Sequence, residues 1–401
     1  MRLIRIPHQL YSCVTTLILA DTICKDPFEL TVEDNSLVEL DSETDIVLVT
    51  GGAGFIGSNL VDELLKLDMR VRVLDSFETG SLRFLDIGHP NLEVFEGTVE
   101  DTEFLKEAMQ GVGAVFHIAA ASKVAPSLRD PSMATWNVRV NALGTANVLE
   151  AAAKSGTVKR FIYAGSSTYY GNQEVPFDES ASFSPTSPYA ASKYMGELLT
   201  LTYDKVFDLP CINLRFFMVY GPRQPETGPY AVVSGKFLSQ RRRNEPLTIE
   251  GTGYQFRDFI HVQDVVDALI KAFYSNIRGV TVNIGSGEAH TVKTIADLIS
   301  PAQVHVAPRA HDLVGTLANT TLANEILFFN ARRNFHEEIK SLIEANPEDH
   351  LHPFWTSEIT MKRLGGLIPE YANMTIDQQE EKIKELGIEN IFQYFHEMDF
   401  E

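Results

Sequence analysis

Three cysteines in 401 residues, Cys13, Cys24 and Cys211, are too few for a disulfide framework. None stands in a C-x-x-C or Cys/His spacing that would hold zinc, and the 11 histidines add no ligand spacing, His350 and His352 in a Pro-containing stretch coming nearest. A reducing compartment suits such a chain, and no metal is expected. Positive charge is scarce as well: 34 Lys and Arg stand against 54 Asp and Glu, a formal net charge of −20. That balance argues against nucleic acid and anionic membranes, whose phosphates are contacted mostly by Lys and Arg. The deficit sits at the flanks, with −8 in residues 21–45 and −10 in residues 335–401, so the middle is nearly neutral. Membrane-length apolar runs are also missing. The run from Leu10 to Ala20 is about eleven residues, where a bilayer span needs about 20, so no stable membrane insertion is expected. Arg2 and Arg5 give that run the look of a signal peptide. Tyr11, Ser12, Thr15 and Thr16 dilute it, and Ile18-Leu19-Ala20 is a poor cleavage site. A cytoplasmic protein with an untargeted extension and a targeted protein both stay open.

What is present is a 44% hydrophobic chain long enough for two or three domains. "DIVLVTGGAGFIGSNLVDELLKLDMRVRVLD" reads as strand, glycine turn, helix, strand: β-branched residues from Ile46 to Val49, then apolar residues at Leu60, Val61, Leu64 and Leu65, then "VRVLD". Apolar runs "LEVFEG", "AVFHIAA", "RFIYAG" and "CINLRFF" follow, separated by helical segments such as "NALGTANVLEAAAKSG" and "SKYMGELLTLTYDKVF". This alternation predicts an α/β fold, a parallel sheet covered by helices on both faces. Past Phe216 the pattern loosens into a smaller second domain, and from about Asn324 it becomes polar, acidic and helix-prone.

In "TGGAGFIG", Gly51, Gly54 and Gly57 follow a strand and open a helix. Glycines let the backbone turn tightly and approach a pyrophosphate, whose charge suits a helix N-terminus. The next strand ends at Asp75, 18 residues beyond Gly57, where a carboxylate accepts from the ribose hydroxyls and repels a 2′-phosphate, selecting NAD over NADP. Further on, "SPYAASKYMGE" places Tyr189 and Lys193 four residues apart, on one face of a helix. A tyrosine with a pKa near 10 is a poor base at neutral pH, but a neighbouring ammonium and a nicotinamide cation both favour its phenolate. Tyr189 is the candidate general base. A lone Y-x-x-x-K is common on solvated helix faces; the upstream nucleotide motif is what gives this one weight.

Together these motifs resemble the extended short-chain dehydrogenase/reductase family, and within it the NAD-dependent nucleotide-sugar epimerase/dehydratase group, most of all the UDP-glucose 4-epimerases. The resemblance runs from about Ile46 to Asn324 through "TGGAGFIG", "HIAA", "NALGTANVLEAA", "SSTYYG", "YAASK", "LRFFMVYGPRQ", "YQFRDFIHVQDVVDA" and "VNIGSGE". It implies a Rossmann-type doubly wound parallel sheet with a smaller α+β substrate-binding domain. The expected division is an N-terminal extension at 1–44, an NAD-binding domain at 45–217 with a returning segment at about 255–285, a substrate-binding domain at 218–254 and 286–330, and an acidic extension at 331–401. It further implies that Gly51, Gly54, Phe55, Ile56 and Gly57 line the pyrophosphate turn, that Asp75 holds the adenosine ribose, and that Ala119 and Ala120 pass beneath the cofactor. Asn141 would steady the neighbouring helix, Lys193 would bridge the nicotinamide ribose, and Ser166 would bond the reacting sugar hydroxyl beside Tyr189. Arg257 and Arg309 match arginines that clamp the diphosphate of a UDP-sugar, and a homodimer is expected.

Departures from the family pattern sharpen the reading. Thr98 stands where an aspartate usually reads the adenine amine, and Met218 where an asparagine is common near the substrate diphosphate. A 4,6-dehydratase carries adjacent Asp and Glu after the residue at 166, and a decarboxylase tends to keep the glutamate; here Ser167 and Thr168 stand there, and neither is an effective acid or base at neutral pH. The expected reaction is therefore 4-epimerisation of a UDP-sugar through a 4-keto intermediate. A dehydratase, decarboxylase or reductase of the same family, and a non-catalytic NAD-binding scaffold, are the alternatives.

Overall fold

The computed structural model describes residues 45–345 except 123, 229–230 and 309–312. The signal-like stretch, the linker before Asp45, Arg309 and the acidic extension beyond Ala345 lie outside the described residues. Seven strands form one parallel sheet in the order β10-β6-β5-β4-β1-β2-β3. They are β1 (Ile46–Thr50), β2 (Arg70–Asp75), β3 (Leu92–Glu96), β4 (Val112–His117), β5 (Arg160–Ser166), β6 (Cys211–Phe216) and β10 (Val280–Ile284). The central strands are apolar runs because both faces are covered: every residue of β1, β4, β5 and β6 is buried. In β1 the side chains alternate between layers, Val47 and Val49 entering one core and Ile46 and Leu48 the other. The first layer holds α1 (Phe55–Lys66) and α8 (Val262–Tyr274); the second holds α2 (Thr102–Ala108), α5 (Gly144–Ser155) and α6 (Pro188–Phe207). Leu60, Val61 and Leu64 of α1 are fully buried, each side chain contributing about 1.5–3 kcal/mol. This is the doubly wound, Rossmann-type arrangement. Strand order reverses between β1 and β4, and at such a switch point the strand ends open a ligand crevice.

Helix α5 is preceded by two short helices, α3 (Val124–Arg129) and α4 (Pro131–Asn137), and by a π-helical segment, Val138–Leu143, which the sequence pattern does not reveal. The smaller lobe has a three-stranded sheet, β11 (Ala289–Thr291), β9 (Phe256–His261) and β7 (Met218–Tyr220), and a parallel pair, β8 (Leu247–Glu250) with β12 (Gln303–Val306). Its core collects Phe237 and Leu238 of α7 (Val233–Arg242), Ile295 and Ala296 of α9 (Val292–Ile299), and Phe335, Ile339 and Leu342 of α11 (Phe335–Ala345). A short helix, α10 (Thr321–Leu327), lies between α9 and α11 and sends Ala323 and Leu327 into the first core. The acidic stretch that begins near Phe335 thus starts as an amphipathic helix packed into the lobe.

Candidate active site

The turn between β1 and α1 is built by close approach. Gly51 has φ +70°, and a Cβ there would lie 2.8 Å from the Ala119 backbone, just beyond β4. At Gly57 a Cβ would sit 2.1 Å from the Gly51 carbonyl oxygen, whereas at Gly54 the nearest atom is that same oxygen at 3.3 Å. Gly51 and Gly57 are therefore required by the chain's own packing, while Gly54 leaves the helix N-terminus open to a ligand. Asp75 closes the far side: one carboxylate oxygen accepts from Ala53 N–H at 2.9 Å, the other from Phe77 N–H at 2.8 Å. Burial pushes its pKa above the ordinary value and these two N–H donors pull it back. The open turn and the fixed carboxylate fit a dinucleotide.

A buried relay runs beneath this turn. Ala119 N–H donates to Thr50 Oγ1 at 3.3 Å, and Thr50 Oγ1 lies 2.7 Å from His117 Nδ1. His117 Nε2 lies 2.9 Å from Thr145 Oγ1, which donates to the Asn141 carbonyl at 2.6 Å. Since the Thr145 hydrogen is committed to Asn141, His117 carries its hydrogen on Nε2 and accepts from Thr50 on Nδ1. Burial first, and the charge of Lys193 second, hold its pKa down to about 3, so it stays neutral at physiological pH. Asn141, inside the π-helical segment, accepts from Ala121 N–H at 2.7 Å and donates to Ser192 Oγ at 2.9 Å, tying that segment to α6.

Helix α6 starts at a capped end: the Ser187 side chain caps Ala190 N–H at 3.1 Å, and Pro188 takes the first turn. Tyr189 and Lys193 both face the cleft, beside Ser166 at the end of β5. Gly196, a turn further on, lets the helix close on β5, for a Cβ there would lie 2.3 Å from Tyr163 Oη. That hydroxyl donates to the Lys193 carbonyl at 2.9 Å, and the Lys193 ammonium lies 4.2 Å from the Tyr163 ring centroid. The electrostatics differ from expectation. Burial pushes the Tyr189 phenol above 10.0, and the opposing pull comes from a hydrogen bond with Ser166. Lys193, only 2% exposed, is itself pushed down to about 7 by burial, Glu197 partly offsetting this. The helix spacing is as read, and burial is the largest influence on both groups.

These groups line one cleft of about 1260 Å³ that runs from the glycine turn into the smaller lobe. Pockets for single drug-sized ligands measure about 300–1,000 Å³, so this space is large enough for a dinucleotide and a second ligand. Gly51, Gly54, Phe55, Ile56, Gly57, Asp75, Ala119, Ala120, Ser166, Tyr189, Lys193 and Arg257 all border it; Arg309 is outside the described residues. Thr98 and Met218 border it too, Thr98 Oγ1 accepting from Glu100 N–H at 3.3 Å. Three lining arginines went unremarked in sequence, the first being Arg83, whose guanidinium lies 4.8 Å from the Phe84 ring centroid. Arg223, at φ +71° in "GPRQ", pairs with Asp62 at 2.7 Å, and Arg242, in the basic run after "FLSQ", pairs with Glu226 at 2.7 Å.

The family described as NAD dependent epimerase/dehydratase matches residues 47–285. The chain belongs to this family. The matched span carries the whole glycine turn, Ser166, Tyr189 and Lys193, and NAD is its cofactor. Over 315 residues the chain is 33% identical to a UDP-glucose 4-epimerase of Mycolicibacterium smegmatis, covering 74% of this chain and 97% of the relative. Over 255 residues it is 34% identical to a UDP-N-acetyl-alpha-D-glucosaminuronate decarboxylase of Bacillus cytotoxicus, covering 62% of this chain and 77% of that one. The crystal structure of Thermotoga maritima UDP-glucose 4-epimerase with UDP-glucose superposes with a TM-score of 0.70 at 32% identity, over 75% of this chain and 97% of the other. Family members thus share the fold and the cofactor while differing in reaction. Among the described residues no helix is long and apolar enough to cross a membrane.

Proposed function

We propose that the protein is an NAD-dependent UDP-sugar 4-epimerase. The observation that carries this reading is the grouping of Ser166, Tyr189 and Lys193 on one cleft wall, with the hydroxyls of Ser167 and Thr168 where elimination chemistry needs an acid and a base. The cleft would hold NAD, which would supply a reversible hydride acceptor for sugar C4. Ser166 bonds the C4 hydroxyl, and Tyr189 takes its proton as the 4-keto sugar forms. After the keto sugar has turned over in the cleft, Tyr189 gives the proton back, so the configuration at C4 is inverted and no cofactor is consumed. Lys193 orients the ribose beside Tyr189, Asp75 holds the adenosine ribose, and Arg257 with Arg309 clamps the diphosphate. The same proposal divides the chain into the extension at 1–44, the NAD-binding domain at 45–217 with its return at about 255–285, the substrate domain at 218–254 and 286–330, and the extension at 331–401, except that Phe256–His261 pairs in the smaller lobe's sheet and Phe335–Ala345 packs into its core.

The decarboxylase relative supports a second reading, loss of carbon dioxide from a UDP-hexuronate. Both are tested by incubating purified protein with UDP-galactose, UDP-N-acetylgalactosamine, UDP-galacturonate and UDP-glucuronate without added NAD. The C4 epimer of at least one is expected. A pentose product points to decarboxylation instead, and no epimer from any of them sinks the proposal. Tyr189→Phe should slow the active reaction about 10²–10⁴-fold while bound nucleotide is retained.

A further inference from the structure

Behind Ser166, on the side away from the cleft, lies a fully buried polar assembly that the reaction as written leaves unused. Ser166 is extended, at φ −146° and ψ 142°, and caps the 3-10 turn Ser167–Tyr170: its Oγ accepts from Thr168 N–H at 3.3 Å. The return bond of such a capping box ordinarily comes from a Glu or Gln. Here the Ser166 N–H donates to Tyr169 Oη at 3.0 Å. Tyr169 is 0% exposed, and its hydroxyl donates in turn to the Glu197 carboxylate. Glu197 is gripped by Arg215 through two bonds, Nη2 to Oε1 at 2.7 Å and Nε to Oε2 at 3.1 Å. Arg215 also donates to Tyr170 Oη, which donates to Asn283 at 2.8 Å. Space for the Tyr169 hydroxyl exists because residue 165 is glycine; a Cβ there would lie 2.8 Å from it.

The assembly joins the elements that carry the site. Ser166 ends β5, Arg215 is on β6, and Glu197 is one turn beyond Lys193 on α6. Buried ion pairs are poor sources of net stability, because desolvation consumes their attraction, but they fix register when every polar atom is engaged. We propose that Tyr169 is a positioning residue: its hydroxyl ties Ser166 to Glu197 on α6, so that the Ser166 hydroxyl keeps its place beside Tyr189 as the sugar turns over. Neither Tyr169 nor Glu197 borders the cleft, so the Tyr169 hydroxyl acts through Ser166 and through Glu197 on α6. The proposal rests on the role given to Ser166 above.

Tyr169→Phe removes the hydroxyl and leaves the ring. In the full-length, NAD-loaded protein the Ser166 amide should exchange with deuterium about tenfold faster, and kcat should fall about tenfold, equivalent to about 1.4 kcal/mol, with KM and bound NAD unchanged. A general loss of structure would instead speed exchange throughout and lower NAD content. Unaltered exchange at Ser166, or faster exchange with unaltered kcat, overturns the proposal. If wild-type protein acts on no UDP-sugar tested, the epimerase reading fails, and the exchange of Ser166 alone decides the role of Tyr169. Should Tyr169→Phe not fold, Arg215→Lys keeps a counter-charge for Glu197 but loses the two-pronged grip; the same changes are expected, and an unaltered kcat with unaltered exchange again overturns it.

Discussion

At the scale of single residues the site is governed by desolvation. Lys193 is a cation on the buried face of α6, with an aromatic ring beneath it and a carboxylate a turn away that Arg215 already engages. Its pKa near 7, against 10.5 in the unfolded chain, means that the unfolded state binds more protons between those values. Stability contributed through this group therefore rises with pH across that window, by about 1.4 kcal/mol per unit, and the cost of burying the charge is fully felt below pH 7. Lys193→Met, which does not titrate, should be more resistant to heat than wild type at pH 7 in nucleotide-stripped protein, and that advantage should shrink toward pH 9.5. A difference in melting temperature that is the same at both pH values would contradict this origin of the lysine's low pKa. Tyr189 and Lys193 were legible in sequence because their relation is local, four residues along one helix. Tyr169, Glu197 and Arg215 were not: they sit 28 and 18 residues apart in the chain, and nothing short of the β5-β6-α6 packing shows that they meet. His117 could be read only as part of "HIAA", since its hydroxyl partners are 67 residues before it and 28 after it.

At the scale of elements, the glycine turn separates what the fold needs from what a ligand needs. An alanine methyl at Gly57 meets a backbone carbonyl at 2.1 Å, which only a shift of α1 against β1 could relieve, whereas at Gly54 the same methyl is merely tight. Gly57→Ala should therefore lower stability by about 1–3 kcal/mol, the usual cost of overpacking, and release the nucleotide. In nucleotide-stripped protein Gly54→Ala should keep the wild-type unfolding midpoint, its effect appearing only as lower nucleotide affinity. Urea unfolding and the nucleotide released on denaturation measure the two effects, and a Gly57→Ala protein with wild-type midpoint and NAD content would refute the argument. The strand-helix alternation from Ile46 to Phe216 was legible because strands buried on both faces are unbroken apolar runs. Two elements escaped it. The π-helical segment has no distinguishing residue pattern, and only the backbone bond from Gly144 N–H to the Arg139 carbonyl, five residues back, reveals its altered winding. Strand β9 reads like the core strands before it, yet it pairs with β7 and β11 in the smaller sheet.

At the scale of the whole molecule, one surface is out of keeping with a net charge of −20. On the outer side of α6, Met195 is 46% exposed, Leu198 45% and Val206 62%, at spacings that make one stripe, while the inner side of the same helix carries Lys193 and Glu197. Beside it the π-helical segment exposes Val138 and Leu143, at 41% and 52%. Contiguous apolar surface of this kind marks an interface. A two-fold axis would pair the stripe with its own copy, burying α6 against α6 in a helical bundle. The homodimer expected from the family resemblance would use this face, and the consequence would reach the active site, because the helix it would clamp is the one that holds Tyr189 and Lys193. Leu198→Glu places a charge at the middle of the stripe. It should elute as a monomer where wild type elutes as a dimer, and it should unfold at a lower temperature that no longer depends on protein concentration. Wild-type protein that is monomeric at micromolar concentration, or a Leu198→Glu variant that remains dimeric, would assign this apolar face to some other partner.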